Sequence, residues 1–250
     1  MSTLLFFLGL FFGSFLAVLG WRLPLGKSVT WDRSRCDSCG RVLAWYELIP
    51  VISYVLQKAR CRTCRARLSL LYPLAEIACG LGLALLYQAL GPTVVFLCAS
   101  VALCAGIVLW VSDALYQLLP DGPMSVFGIA VVGYIVLSPA LAGSIGFRLL
   151  TALFASGFFA SLWAITKGRG MGFGDVKLAF ILGFLLGYPE IVIAVYAAFL
   201  TGAGVGVILM MRSKLKLKSK IAFGPFLFVG AIVALVWSNE ILQWWRGLFV

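Results

Sequence analysis

Long apolar stretches separated by short polar segments run along almost the whole chain. A helix needs about 20 apolar residues to cross the hydrocarbon core of a bilayer, where lipid offers backbone groups no partner. Eight stretches reach or approach this length: 3–19, 70–90, 93–111, 124–141, 148–165, 171–187, 191–211 and 221–237. The pattern predicts an all-α integral membrane protein with about eight transmembrane helices. The first stretch lacks the basic start and the cleavage site of a signal peptide, so we expect it to be a span.

The composition supports a membrane protein and excludes several other classes. Hydrophobic residues make up 62% of the 250 residues, charged residues make up 12%, and the mean hydropathy is +1.06. The chain is too apolar to be disordered, and seven Cys are too few for a disulfide scaffold. Because His is absent from the sequence, Ser-His-Asp, Cys-His and His-ligated metal mechanisms are excluded. Any catalysis must use other groups.

The positive charges predict how the chain is oriented. Of the 20 Lys and Arg residues, 17 fall between spans one and two and in alternate loops thereafter, and Lys177 lies just inside span six on the same side, while Arg148 and Arg246 lie on the other side. Since cytoplasmic loops carry the excess of positive charge, we expect both termini to be periplasmic. The net charge of +11 and the basic run 212–220 then indicate contact with anionic lipid headgroups and not with nucleic acid.

Four Cys mark a small polar segment between the first two spans. We expect a first transmembrane helix at 1–21, a cytoplasmic tetracysteine module at 22–69 and a seven-helix membrane domain at 70–250. Cys36, Cys39, Cys61 and Cys64 form two C-x2-C pairs separated by 21 residues. Two such pairs are typical of a tetrahedral structural Zn²⁺ site, although this spacing slightly exceeds the usual range. Disulfides or free thiols are the alternatives, and a reducing cytoplasm disfavours disulfides.

Two carboxylates are the candidate catalytic groups. Asp113 ends the third span and Asp175 opens the sixth, so both are predicted at the cytoplasmic boundary of the membrane. Carboxylates at such positions are costly, and two that approach each other share a proton, one acting as acid and the other as base. Aspartic proteases activate water in this way without His or a metal. Ordinary helix termination in a polar loop is the alternative for Asp113.

The residues around Asp175 fit a substrate site. Gly172 and Gly174 remove side chains where an extended substrate backbone would approach the carboxylate. Lys177 lies two positions after Asp175, and side chains at that spacing on a helix do not face each other, so Lys177 is not expected simply to neutralise Asp175.

Two other classes of function are the alternatives. A transporter would instead place its polar groups near the midplane of the bilayer, and an assembly factor would need the Cys module without the Asp pair.

Several motifs together resemble the bacterial type IV prepilin peptidase family, which are membrane aspartic proteases of the GxGD type. They are "GSFLAVLGWRLP", the two Cys pairs, "SDALYQLLPD", "GFGDVK" and "AFGPFL", in this order over nearly the whole chain. The resemblance implies that Asp113 and Asp175 are the catalytic pair and that Asp121 is not part of it. It also implies an enzyme of the bacterial inner membrane that cleaves the leaders of prepilins and type II secretion pseudopilins after Gly. Members with the Cys module commonly also N-methylate the new terminus with S-adenosylmethionine.

Overall fold

The long elements of the described part of the chain are all helices, and two isolated β-bridges, Arg35–Val42 and Arg60–Arg67, lie in the segment of the four Cys. A computed structural model describes residues 1–27, 34–36, 38–168, 170–211 and 222–247, and no β-strand occurs among them. The long helices are α1 (Ser2–Arg22), α3 (Leu71–Leu90), α4 (Val94–Tyr116), α5 (Asp121–Leu137), α7 (Ile145–Thr166), α8 (Phe173–Leu186), α9 (Glu190–Met211) and α10 (Gly224–Gly247). Two short helices, α2 (Ile52–Leu56) and α6 (Pro139–Ala142), and two 3-10 turns, Leu23–Leu25 and Trp45–Leu48, complete the described structure.

These eight long helices coincide with the eight apolar stretches, so the all-α prediction is confirmed. Six of the described helices are long and apolar enough to cross a membrane. The other two, α5 with 17 residues and α8 with 14, are shorter. The stretch 124–141 divides into α5 and α6 because Pro139 follows Ser138, a pairing that disfavours continued helix. The final helix extends ten residues beyond the predicted end at 237 and finishes at Gly247.

The chain forms two compact units, of which the first comprises residues 1–112 and 120–130. In this unit α1 packs closely on α3 because glycines remove the intervening side chains. A Cβ added to Gly9 would lie 2.6 Å from the Cα of Gly80, and one added to Gly13 would lie 2.6 Å from the Cα of Glu76. Small residues that let backbones approach are a common basis of helix association in membranes. A buried cluster from α1, α3 and α4 extends this contact; it includes Leu16, Ala17, Ala75, Cys79, Leu83, Ile107, Val108 and Val111.

The second unit comprises residues 113–119 and 131–250. Here α7 packs on α8 and α9 packs on α10. A Cβ added to Gly183 would lie 2.8 Å from the Cα of Ala152, so these two helices also meet through a small residue. At the C-terminal end of α8, Arg148 donates hydrogen bonds to the carbonyls of Leu185 (2.6 Å) and Phe184 (3.3 Å). Arg148 therefore satisfies carbonyls that the end of a helix leaves without partners.

Some sequence predictions concern residues outside the described part. The basic run 212–220, Arg33 and Arg169 lie there. The orientation of the spans and the division into 1–21, 22–69 and 70–250 remain predictions.

Candidate active site and metal centre

Asp175 is held at the start of α8 by the backbone. It is the third residue of the helix, and Gly172 is the residue that precedes the first turn. The Gly172 N–H donates to Asp175 Oδ2 at 3.2 Å, while the Asp175 N–H donates to the Gly172 carbonyl, also at 3.2 Å. The residue is only 5% exposed, yet Oδ1 is buried without a hydrogen-bond partner among the described residues. One carboxyl oxygen is therefore fixed and the other is available.

Asp113 lies in the last turn of α4 and is equally buried. Its exposure is 4%, and its Oδ2 also has no hydrogen-bond partner in the described part of the chain. The start of α10 lies directly against this carboxyl group: a Cβ added to Gly224 would be 2.6 Å from Oδ2 and 3.1 Å from Cγ. Only a residue without a side chain leaves the carboxylate in this position. A buried carboxyl oxygen without a partner is costly, which marks a position that water or a substrate can occupy.

Both carboxylates line one cavity of about 130 Å³. Its wall also includes Gln117, Leu119 and Phe223, and it is completed by Gly168, Gly170, Met171, Gly172, Gly174 and Ala222. A water molecule needs roughly 10–15 Å³ of such space, so the cavity can hold several waters or a short piece of extended backbone. Two carboxylates around such a space can exchange protons with a bound water and a polar substrate group.

The other predicted residues of this region fall into two groups. Gly172 and Gly174 line the cavity, and Gly174 also packs against Leu119, where an added Cβ would lie 3.0 Å from the Leu119 Cβ. Lys177 is exposed, and its Nζ lies 5.7 Å from the centroid of the Phe173 ring. Neither Lys177 nor Asp121 is among the residues that line the cavity. The functional roles of all these residues remain predictions.

Gly224, Phe223 and Gln117 are site residues that sequence reasoning did not single out. The segment "AFGPFL" contributed to the family resemblance, but no role was assigned to its glycine. A signal was present, because Gly-Pro at the start of an apolar stretch is typical of a helix N-terminus. The contact of that N-terminus with Asp113, more than a hundred residues earlier, could not be predicted from the sequence.

The four module Cys are brought together as predicted. Their sulfurs all lie within 4.8 Å of one another, and the Cys36 and Cys64 sulfurs are 3.7 Å apart. Zn–S bonds of about 2.3 Å in a tetrahedron place sulfurs about 3.8 Å apart, whereas a disulfide requires about 2.05 Å. All described Cys are free. The site fits a four-thiolate metal ion such as zinc and leaves no open position for catalysis.

Backbone N–H groups favour the thiolate form of Cys61 at this centre, and an ion pair holds the turn beside it. The backbone N–H groups of Cys64 and Thr63 lower the pKa of the Cys61 thiol to about 6, which favours the thiolate that binds metal. Arg41 donates to both Glu47 oxygens, at 2.6 and 2.9 Å. Burial raises the pKa of the Glu47 carboxyl, but the Ala44 N–H and the Arg41 guanidinium outweigh burial and hold that pKa below its ordinary value. An ion pair between the buried Glu47 carboxylate and the partly exposed Arg41 guanidinium therefore supports the turn next to the tetrad.

The fold and the site define a multi-pass, all-helical membrane protein with a paired-carboxylate cavity and a four-Cys centre. Comparison with known proteins gives the family. The Bacterial Peptidase A24 N-terminal domain matches residues 7–90, and the Type IV leader peptidase family matches residues 97–207. The chain therefore belongs to the type IV leader peptidase family, a family of proteases.

Curated relatives extend this similarity over the whole chain. A prepilin leader peptidase/N-methyltransferase of Bacillus subtilis (strain 168) is 32% identical over 245 residues, covering 98% of each chain. Proteins of the same name from Pseudomonas putida and Myxococcus xanthus (strain DK1622) are 31% and 34% identical. The alignments cover 96% of this chain and 91% of the first protein, and 85% of this chain and 64% of the second. No solved structure gives a significant match.

Proposed function

We propose that the chain is an aspartic endopeptidase that removes the leaders of type IV prepilins and type II secretion pseudopilins. The observation that carries this proposal is the pair of buried carboxyl oxygens, Asp113 Oδ2 and Asp175 Oδ1, which lack partners among the described residues and belong to side chains lining one cavity. Membership of the leader peptidase family and the names of the curated relatives supply the substrate class.

In the proposed mechanism the two carboxylates share one proton. The ionised member takes a proton from a cavity water as the water oxygen attacks the scissile carbonyl carbon, and the protonated member donates its proton to the carbonyl oxygen. The roles then exchange: the amide nitrogen receives a proton, the C–N bond breaks, and the new carboxyl and amino termini leave. The Gly172 N–H holds one Asp175 oxygen still during these steps, which keeps the other oxygen aimed at the reacting groups.

The position of the pair favours proteolysis over transport. Asp113 lies one turn from the end of α4, and Asp175 is the third residue of α8. Both carboxylates therefore lie near helix ends, and the cavity that they line has room for several waters. A relay for protons or ions would place them near the middle of long helices.

The proposal includes a location and a cleavage preference. By the charge distribution, the cleavage face is the cytoplasmic side of the bacterial inner membrane, with both termini periplasmic. Four glycines and the side chains of Leu119, Met171 and Phe223 wall a cavity of only about 130 Å³. Such a narrow space suits a peptide with Gly immediately before the cleaved bond. Fusions of a reporter active only in the cytoplasm should give signal after Arg41 and Lys216 but none after Val250.

We also propose one structural zinc ion on Cys36, Cys39, Cys61 and Cys64, whose contribution is to hold the module together. A second activity, N-methylation of the new terminus from S-adenosylmethionine, is supported by the names of the curated relatives. No residue is assigned to bind that cofactor.

One experiment tests both activities. The purified chain is incubated with a prepilin, and mass spectrometry identifies the N-terminus of the product, with and without S-adenosylmethionine. We expect a single cleavage after Gly, and a mass increase of one methyl group only when the cofactor is present. Asp113→Asn protein is the matched control and should leave the prepilin intact. A prepilin that stays intact with the wild-type protein would contradict the peptidase proposal. A cleaved but unmethylated product would contradict the second activity alone.

A further inference from the structure

The tetracysteine module buries a carboxylate and two Cys while it exposes several large apolar side chains. Its buried groups include the Glu47 carboxyl at 6% exposure and the sulfur-bearing Cys36 and Cys61 at 6% and 3%. Its large aliphatic and aromatic side chains point outward: Trp45 is 77% exposed, Ile52 56%, Val55 65% and Leu56 71%. A water-soluble module would have the opposite arrangement, because exposed apolar area is costly in water.

We name these exposed side chains, Trp45, Ile52, Val55 and Leu56, the module apolar face. Ile52, Val55 and Leu56 are spaced i, i+3 and i+4 along α2 and so lie on the same side of that helix. The 3-10 turn Trp45–Leu48, which carries Trp45, packs against α2. Apolar residues beside a Trp and a Tyr, here Trp45 and Tyr46, are typical of segments that lie in the interface between lipid and water.

The charges around this face select the kind of partner. In the described part of the module the single acidic residue, Glu47, is turned inward and neutralised by Arg41. The exposed charged side chains that follow α2 are all basic; they are Lys58, Arg60, Arg62, Arg65 and Arg67. Among the described residues that border this face the exposed charge is positive, which is complementary to a bilayer that contains anionic lipid.

A hydrogen bond to α3 fixes the height of α2 along that helix. The N–H of Val51, the residue before α2, donates to Glu76 Oε2 at 2.7 Å. Glu76 is the sixth residue of α3, and a rise of 1.5 Å per residue puts it about 8 Å along that helix. The headgroup layer on each side of a bilayer is about 5–8 Å thick. With the first residue of α3 at the water side of the headgroups, the start of α2 lies near the boundary between headgroups and hydrocarbon.

We propose that the module apolar face inserts into the interface of the bilayer, with the exposed Arg and Lys side chains against anionic headgroups. The module is then a peripheral membrane-binding element in addition to the spanning helices. This inference does not depend on the peptidase reaction, since none of its residues lines the Asp113–Asp175 cavity.

Photo-crosslinking of the full-length chain in lipid nanodiscs tests the proposal. The photoreactive residue p-benzoylphenylalanine replaces Val55 in one variant and Ser38, an exposed polar residue of the first Cys turn, in the control. Nanodiscs contain phosphatidylglycerol and phosphatidylcholine, and mass spectrometry identifies the adducts. We expect lipid adducts at position 55 but not at position 38, with phosphatidylglycerol enriched about fivefold over its mole fraction, the effect of one basic residue near an anionic surface.

Three outcomes would overturn the proposal: equal lipid labelling at both positions, adducts at position 55 with prepilin or a second copy of the chain, or no adduct while the variant remains folded. A second measurement avoids the bulky probe. The Trp45 fluorescence is obtained as the difference in emission between wild type and Trp45→Phe. Brominated lipids should quench this component, and aqueous iodide should not. Quenching of that component by iodide and not by lipid would equally refute the insertion.

Discussion

Replacing Gly224 with Ala is the sharpest test of the proposed active site. A Cβ at this position would lie 2.6 Å from Asp113 Oδ2, whereas ordinary contacts begin at 3.4 Å. The carboxyl group must therefore move by about 0.8 Å. A misplacement of about 1 Å in a catalytic group costs roughly 100-fold in rate, which corresponds to about 2.7 kcal/mol of barrier. We expect Gly224→Ala to lower kcat by about this factor and to leave KM nearly unchanged.

The controls separate this effect from damage to the fold. Gly157→Ala in α7 and Gly204→Ala in α9 add a Cβ where nothing lies within 4 Å, and both variants should cleave prepilin at the wild-type rate. Ala is the better helix former by about 1 kcal/mol, so local helix propensity does not predict a loss at Gly224. Initial rates of prepilin cleavage by the purified proteins in detergent give kcat and KM.

The double variant shows whether Gly224 acts through Asp113. Asp113→Asn combined with Gly224→Ala should be no slower than Asp113→Asn alone, because changes within one catalytic unit are not additive. If folded Gly224→Ala protein cleaved prepilin within about twofold of the wild-type rate, the carboxylate would not need its position beside α10, and the reasoning from this contact would be wrong.

Four further predictions follow from the site, the metal centre and the packing. Asp113→Asn and Asp175→Asn should each abolish cleavage, and the double change should be hardly worse. Asp121→Asn should retain activity. Rapid cleavage by folded Asp175→Asn protein would exclude a catalytic role for the pair. Cys36→Ser should remove about one zinc per chain, measured by elemental analysis, and make residues 34–69 more sensitive to protease. The variant should keep partial cleavage activity. Four freely alkylated thiols in metal-free native protein would contradict the zinc site. Gly9→Ala should lower the free energy of unfolding by about 2 kcal/mol, measured by thermal unfolding, because its Cβ would overlap the Gly80 backbone; an unchanged unfolding temperature would disprove the close packing of α1 on α3. Glu47→Gln should destabilise the module by about 1–2 kcal/mol at pH 7, measured by amide exchange. The difference from wild type should vanish as the pH falls below the lowered pKa of Glu47, because the wild-type carboxyl is then protonated. A difference independent of pH would assign the effect to something other than the ion pair.

The Cys centre shows how much of a site local spacing determines. Each C-x2-C pair lies in one tight turn, in which Gly40 N–H donates to the Cys36 carbonyl and Arg65 N–H donates to the Cys61 carbonyl. The turn brings its two sulfurs together whatever the rest of the chain does, so the tetrad was predictable. The inward Glu47 and the outward α2 face were not predictable, because the apolar segment between the pairs is equally able to pack against the Cys turns or to lie on the bilayer surface.

The sequence alone determined the class of fold, since an apolar stretch long enough to span a bilayer is a local, one-dimensional signal. It also identified Asp113 and Asp175 as candidates, because a carboxylate beside a long apolar helix is costly. Only the tertiary structure decided that two side chains 62 positions apart line the same cavity and that Gly224 packs on one of them. Helices in lipid are held by close packing of small residues and not by burial from water. That packing depends on the detailed shapes of distant helices, which no local pattern encodes.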